Sequence, residues 1–413
     1  MILGELLKER VGICVSGGLD SRTVTRRLVN EGIDVMCFTA DLAQPDEADI
    51  RDVARKMSPC GAKTVIVDLK DDMALECFEM IKAQAMYDGG YWNSTGIARA
   101  VTVRGLVPVM KKNGRTVLAH GATGRGNDQM RFERYTNAFA PGMKVYAPWR
   151  DPGLLKEFSG RTQMIEFLDK CGIDSYTMGA GKKRYSTDAN LAGISYEALD
   201  LESMETPCTI VQPQMGVWPE KAPNRMEKVT VRFDKALAVE INGRKVKPLQ
   251  AMQTANRIAG RNGVGIKNAL ENRIIGTKSR GVYEAPGMEL LGLCLKSVYQ
   301  AVLDAKSTEL FNQLSGLVAR QVYGARYYDP VTTAAKAAIN VFAQFASGVV
   351  TVGLYKGNVY FLSLTDCSAS LYNEADSSME ASKGLNPTSS QGYAEVQSVE
   401  AKSLARAGQI RRK

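Results

Sequence analysis

The chain is poor in histidine. His120 stands alone among 413 residues, which leaves no partners for a histidine-based metal site or catalytic triad. Eight cysteines are scattered without Cys-x-x-Cys spacing. Neither a zinc site nor a disulfide framework is indicated, and a reducing compartment is expected. No apolar run approaches membrane-spanning length, and the first residues lack the apolar core of a signal peptide. A cytoplasmic protein without a membrane partner is therefore expected. No internal repeat is evident. What remains is ordinary globular composition, 45% hydrophobic and 23% charged, with a formal net charge of +9. That dispersed positive balance suits small anionic ligands such as nucleotides.

Two glycine loops carry the chemistry. Val11 to Val15 is a short apolar, β-branched run that reads as a buried strand. Ser16-Gly17-Gly18-Leu19-Asp20-Ser21 follows, and a helical pattern begins at Arg22 with Val24, Leu28 and Val29 on one stripe. Gly32 closes that helix. A strand, a glycine turn and a helix start make an anion site, because the first helical N–H groups lack internal partners and the glycines let a phosphate approach. The stretch matches neither the Walker A nor the G-x-G-x-x-G pattern. It resembles the pyrophosphate loop of the ATP pyrophosphatases.

Alternating units continue. Strands are expected at Val35–Ala40, Lys63–Asp68, Thr116–Ala119 and Val145–Ala147, with helices over Met73–Met86 and Ile97–Lys111. Repeated βα units imply a doubly wound parallel sheet with its ligands at the carboxyl ends of the strands. The second glycine loop, His120 to Glu133, supplies Thr123 and Asn127 to hold a carboxylate and Asp128 to hold an ammonium. His120 is read as structural.

Near Gly172 the pattern changes. Val229–Phe233 alternates, Leu237–Ile241 runs into Asn242-Gly243, and Val349–Leu354 and Val359–Leu364 flank Lys356-Gly357-Asn358. These are hairpin signals. Helices over Glu289–Ala305 and Thr332–Phe345 lie between them, so this part reads as α+β. The expected division is a nucleotide-binding domain over 1–172, a synthetase domain over 173–376, and a tail over 377–413. The tail helix carries Val396, Val399, Leu404 and Ala407, and is expected to dock on another subunit.

With both loops in view, the chain resembles the argininosuccinate synthases. The similarity includes Ala147-Pro148-Trp149-Arg150, Ser186-Thr187-Asp188-Ala189-Asn190-Leu191 and Ile194-Ser195-Tyr196-Glu197. It continues through Gly263-Val264-Gly265, Glu271-Asn272-Arg273, Lys278 to Pro286, and Ser370 to Glu374, in family order. The resemblance implies ATP-dependent joining of citrulline and aspartate, with release of AMP and pyrophosphate. It implies Val15, Ser16, Gly17, Gly18, Leu19, Asp20, Ser21, Ala40 and Gly121 for ATP. It implies Tyr91, Asn127, Arg131, Ser186, Ser195, Glu271 and Tyr283 for citrulline, and Thr95, Thr123, Asn127 and Asp128 for aspartate. Asp20, Asn127 and Asp128 would be catalytic. Mg²⁺ would ride on the ATP phosphates with no protein metal site, and a homotetramer is implied.

Three departures stand out. Arg22 and Gly96 replace usual serines, and Ile266-Lys267-Asn268 replaces Arg-Ile-Asp, removing an expected ion pair. Another ATP pyrophosphatase is the nearest alternative. A nucleic-acid binder using Lys278, Arg280 and Arg411-Arg412-Lys413 is the alternative from another class.

Overall fold

The computed structural model describes residues 1–174, 184–380 and 383–410. Arg411-Arg412-Lys413 therefore lie outside the described residues. The first part alternates β1 (Arg10–Cys14), α1 (Leu19–Asn30), β2 (Asp34–Asp41), α2 (Arg51–Met57), β3 (Lys63–Asp68) and α3 (Lys70–Lys82). Next come the short strands β4 (Met86–Tyr87) and β5 (Tyr91–Trp92), then α4 (Ser94–Lys112), β6 (Val117–His120), α5 (Asp128–Phe139), β7 (Lys144–Tyr146), α6 (Pro152–Glu157) and α7 (Arg161–Lys170). The sheet order is β3-β2-β1-β6-β7, and every pairing is parallel.

Alternation along each strand sorts side chains between two cores. Val11, Ile13, Cys37, Val117 and Ala119 pack with Val24, Leu28 and Leu168 of α1 and α7. Phe38 and Leu118 face the other way, into a core that includes α3 and α4. Helix α4 is apolar nearly all round because it is enclosed, with Ile97, Val101, Leu106 and Met110 at most 1% exposed.

That second core continues into the rest of the chain. There β8 (Ser186–Asn190), β9 (Gly193–Glu197), β10 (Glu227–Asp234), β11 (Leu237–Ile241), β12 (Arg244–Lys245), α8 (Pro248–Arg261), β13 (Ile266–Asn272) and β14 (Lys278–Glu284) precede α9 (Pro286–Val302), α10 (Ala305–Tyr323) and α11 (Pro330–Ala343). The chain closes with β15 (Gly348–Tyr355), β16 (Asn358–Thr365), α12 (Glu374–Ser377) and α13 (Ser389–Arg406). Two antiparallel sheets form, β12-β11-β10-β15-β16 and β13-β14-β9-β8. Ala255, Leu291 and Val350 share one apolar cluster with Phe78 and Val101, so the two parts are welded through a common interior.

Some boundaries shift. The helix expected over Met73–Met86 stops at Lys82, because Gln84 turns at φ 49 and Met86 enters β4. Helix α1 begins at Leu19, three residues before the expected Arg22, which places Asp20 and Ser21 in its first turn. The β10–β11 hairpin turns on Lys235 and Ala236, both at positive φ, without any glycine. Asn242-Gly243 instead joins β11 to β12. The expected tail helix is present as α13, and Tyr393, Val396 and Val399 are each more than 60% exposed.

Candidate active site

The first loop turns sharply at the end of β1. Val15 N–H still donates to Phe38 O at 2.9 Å, as in a strand. Then Gly17 takes φ +75, where a β-carbon would sit 3.2 Å from Lys56 Cδ. Gly18 caps α1 in extended conformation. Ser16 N–H donates to Ser21 Oγ at 3.2 Å, and the two hydroxyls are 3.3 Å apart. The loop is thus closed on itself, with the first-turn amides of Leu19, Asp20 and Ser21 facing away from the helix. Ala40 lies near the carboxyl end of the adjacent β2.

The second loop leaves β6 beside the first. A β-carbon on Gly121 would lie 3.8 Å from Asp20 Cβ. Asp20, Thr123 and Gly124 line a cavity of about 510 Å³ with Arg125, Trp149, Arg150 and apolar side chains from α6 and α7. Burial raises the Asp20 carboxyl above its ordinary value, and the positive charge of Arg161 opposes it. His120 precedes this loop. Its ring is fully buried and stacks on Phe132, with centroids 5.0 Å apart, and its Nδ1 accepts from Ala122 N–H at 3.2 Å.

A second group of polar side chains lies where α4, α5, β9, β13, β14 and α10 converge. Glu271 Oε2 accepts from Tyr91 and, at 3.1 Å, from Tyr283, whose rings stack at 3.7 Å. Its Oε1 accepts from Tyr323 at 2.7 Å. Burial pushes the Tyr91 and Tyr283 phenols up, and the neighbouring Glu271 charge adds to the effect. Their hydroxyls therefore stay neutral donors. Thr95 Oγ1 and Ser195 Oγ are 3.2 Å apart.

Asp128 heads α5 and is clamped by two arginines. Arg99 Nε donates to its Oδ2 at 2.9 Å, and Arg131 Nη1 to its Oδ1 at 2.9 Å. Arg99 also reaches Asp188. Burial disfavours the charged form of Asp128, yet Arg99 and Arg131 outweigh it and hold the carboxyl below its usual range. Asp188 goes the other way: burial and the nearby Asp128 charge raise it, against Arg99. Glu197 opens onto solvent, but the surrounding walls and the charges of Asp128, Glu271 and Asp188 lift it to about 7, with Arg273 opposing.

Tyr91, Asn127, Asp128, Arg131, Glu271 and Tyr283 thus form one contact network, with Thr95 and Ser195 paired together. Ser186 is exposed at the start of β8, in register with Glu197. Thr123 is exposed on the Asp20 side of its loop. Sequence reasoning missed Arg99, Asp188, Glu197 and Tyr323. Arg99 lies one turn after Thr95, an i, i+4 signal that could have marked it. Nothing local marks Tyr323.

The departures find physical accounts. A β-carbon at residue 96 would lie 2.5 Å from Asn93 Nδ2, and Asn93 Oδ1 caps α4 by accepting from Gly96 N–H at 2.9 Å. A side chain at 96 would force the Asn93 amide to shift from this position. Lys267 pairs with Glu289 at 3.0 Å. Arg280 donates to Asn268 Oδ1 at 3.0 Å and to the Ser203 and Thr206 carbonyls. The β13–β14 register is regular throughout, so the missing ion pair leaves no distortion around Glu271. Buried Arg22 donates to the Asp174 carbonyl at 2.5 Å.

Comparison with known proteins gives a consistent result. Residues 10–174 match the model for the arginosuccinate synthase N-terminal HUP domain, and residues 185–404 match that for the arginosuccinate synthase C-terminal domain. A curated protein from Rhodopirellula baltica, named argininosuccinate synthase, is 37% identical over 388 residues, covering 93% of this chain and 95% of its own length.

Proposed function

This chain belongs to the argininosuccinate synthase family, and on that premise we propose how its residues divide the work. The enzyme is a ligase that forms a C–N bond between citrulline and aspartate in arginine biosynthesis, with ATP as substrate. A ureido oxygen is a poor leaving group, so citrulline must first be adenylated. Its oxygen attacks the α-phosphorus, pyrophosphate leaves, and the aspartate amine then displaces AMP.

Val15 to Ser21 hold the departing pyrophosphate, whose growing charge meets the amides at the start of α1 and the Ser16 and Ser21 hydroxyls. Ala40 and Gly121 flank the nucleotide. Among the described residues, Asp20 is the single carboxylate lining the cavity. One carboxylate fits Mg²⁺ carried mainly by phosphate and water, and the ion would neutralise phosphate charge. Glu271, held by Tyr91 and Tyr283, suits the citrulline ammonium, with Arg131, Ser186 and Ser195 completing that pocket. Thr95, Thr123 and Asp128 take aspartate, and Asn127 faces both amino acids. No protein nucleophile is needed; alignment of three substrates is the main catalytic task.

The observation that carries this reading is the meeting of the loops. Asp20 and Gly121 are in near contact, and the second loop ends in Asn127 and Asp128, inside the amino-acid network. The test is pyrophosphate release from ATP with citrulline and aspartate each omitted in turn. Release must depend on citrulline, and sustained turnover on aspartate; release indifferent to citrulline refutes it. For a nucleic-acid binder, Arg280 is a poor candidate, because it is already spent on Asn268 and two carbonyls.

The boundaries 1–172, 173–376 and 377–413 are proposed as nucleotide, synthetase and tail regions of a cytoplasmic homotetramer. Exposed Tyr360, Phe361 and Leu362 on β16 and Val396 and Val399 on α13 support subunit contacts. Cutting after Tyr393 should lower the mass seen by light scattering; an unchanged mass removes α13 from the interface. Among the described residues, no helix is long and apolar enough to cross a membrane.

A further inference from the structure

Tyr323, the last residue of α10, touches both halves of the amino-acid pocket. Its hydroxyl accepts from Asn127 Nδ2 at 2.8 Å and donates to Glu271 Oε1 at 2.7 Å. These directions are forced. Ile274 N–H, which can only donate, reaches Asn127 Oδ1 at 3.0 Å. That contact turns the amide NH₂ toward the phenol. A phenol oxygen accepting from Asn127 keeps its own proton for Glu271, an acceptor-only carboxylate. The chain Ile274, Asn127, Tyr323, Glu271 therefore has one polarity.

The rest of the residue is equally constrained. Its ring stacks on Tyr87 with centroids 3.8 Å apart and planes 12° off parallel. Its carbonyl accepts from Arg131 Nε and Nη2 at 3.3 and 3.2 Å. Arg131 holds Asp128 in turn. One side chain and one carbonyl thus fix Glu271 on one hand, and Asn127 and the Arg131–Asp128 pair on the other.

We propose that Tyr323 is a positioning residue that couples the citrulline and aspartate pockets, so that filling either one orders the other. This rests on the assignment of Glu271 to citrulline, of Asp128 to aspartate and of Asn127 to both. A ligand that immobilises Glu271 also immobilises the phenol, and through it the Asn127 amide. The second ligand then meets a group already ordered, which is positive coupling. By linkage the effect is reciprocal.

Calorimetric titration of the wild-type enzyme without ATP tests this directly. Citrulline should tighten aspartate binding about fivefold or more, and aspartate should tighten citrulline by the same factor. Tyr323→Phe keeps the ring, the stack and the carbonyl and removes only the hydroxyl. Its coupling factor should fall to about one, and the KM values for both amino acids should rise while that for ATP stays put. In an Asn127→Ala background the same change should raise the citrulline KM alone. A wild-type factor of one overturns the proposal without any variant, and so does a Tyr323→Phe enzyme that keeps the coupling. A drop in kcat with all KM values unchanged also overturns it, because that pattern marks an interaction made only in the transition state. Wild-type pyrophosphate release that ignores citrulline would sink the underlying assignment, whereas intact release with no coupling sinks this inference alone.

Discussion

Because His120 is the one histidine, its titration can be followed without assignment. The ring is fully buried, and burial, with the charge of Arg150 acting in the same direction, lowers it from 6.5 to about 4. The folded value lies below the unfolded one. Between them the unfolded chain binds a proton that the native ring refuses. The stability contributed is therefore complete above pH 6.5 and is lost as pH falls toward 4. The gap is worth about 3 kcal/mol in all, of which about 2 kcal/mol is gone by pH 5. Glu197 runs the other way. Its carboxyl, lifted to about 7, contributes stability below 4.5 that fades as pH rises through 7, and its exposure to solvent weakens that contribution. The clean quantity is thus the slope of unfolding stability against pH in wild type minus that in His120→Gln. The His120 ring-proton resonance in NMR should show a midpoint near 4. A midpoint near 6.5 would refute the reasoning, since it would mean that the ring is solvated or meets an acid. Protonation at Nδ1 also removes the acceptor for Ala122 N–H. Loop shape, and with it activity, should fail over the same low-pH range.

Other outcomes are expected at the loops and the clamp. Gly17→Val places a β-branched residue at φ +75 and should lower pyrophosphate release about a hundredfold or more with circular dichroism unchanged; normal turnover would end the phosphate-loop assignment. Thr123→Ala should raise the aspartate KM roughly ten- to a hundredfold while citrulline-dependent exchange of labelled pyrophosphate into ATP survives. Since Thr123 lines the Asp20 cavity, a matching loss of exchange would reassign it to the nucleotide. Arg99→Met strands Asp188 and leaves Asp128 with Arg131 alone; it should cost about 3–5 kcal/mol in urea unfolding at neutral pH, with part of the loss recovered near pH 5 as the unpaired Asp188 protonates. Equal losses at both pH values would contradict the clamp.

The parallel sheet is legible in the sequence because each strand is a short apolar run whose end is marked by glycine or a charged residue, as at Val11–Val15, which is largely buried, and Lys63–Asp68, an edge strand only half-buried. The four-stranded sheet is not. Ser186–Asn190 is polar and weak in β-propensity, and it becomes a strand only by pairing with β9. The turn at Lys235-Ala236 carries no glycine because strand pairing imposes its backbone. Loop residues of the site announce themselves through spacing. Tyr323 and Asp188 do not, since their meaning comes from partners far along the chain. The Gly96 departure makes sense only with Asn93 placed above it.

The joint between Asn127 and the later half has a consequence during synthesis. Its partners Ile274 and Tyr323 lie 147 and 196 residues downstream. On the ribosome, the two glycine loops emerge long before β13, β14 and α10. A half-made chain ending before Ile274 lacks both hydrogen-bond partners of Asn127 and much of the interior that the two parts share. The network around Asn127 and Glu271 can therefore close only after α10 has been made, late in synthesis.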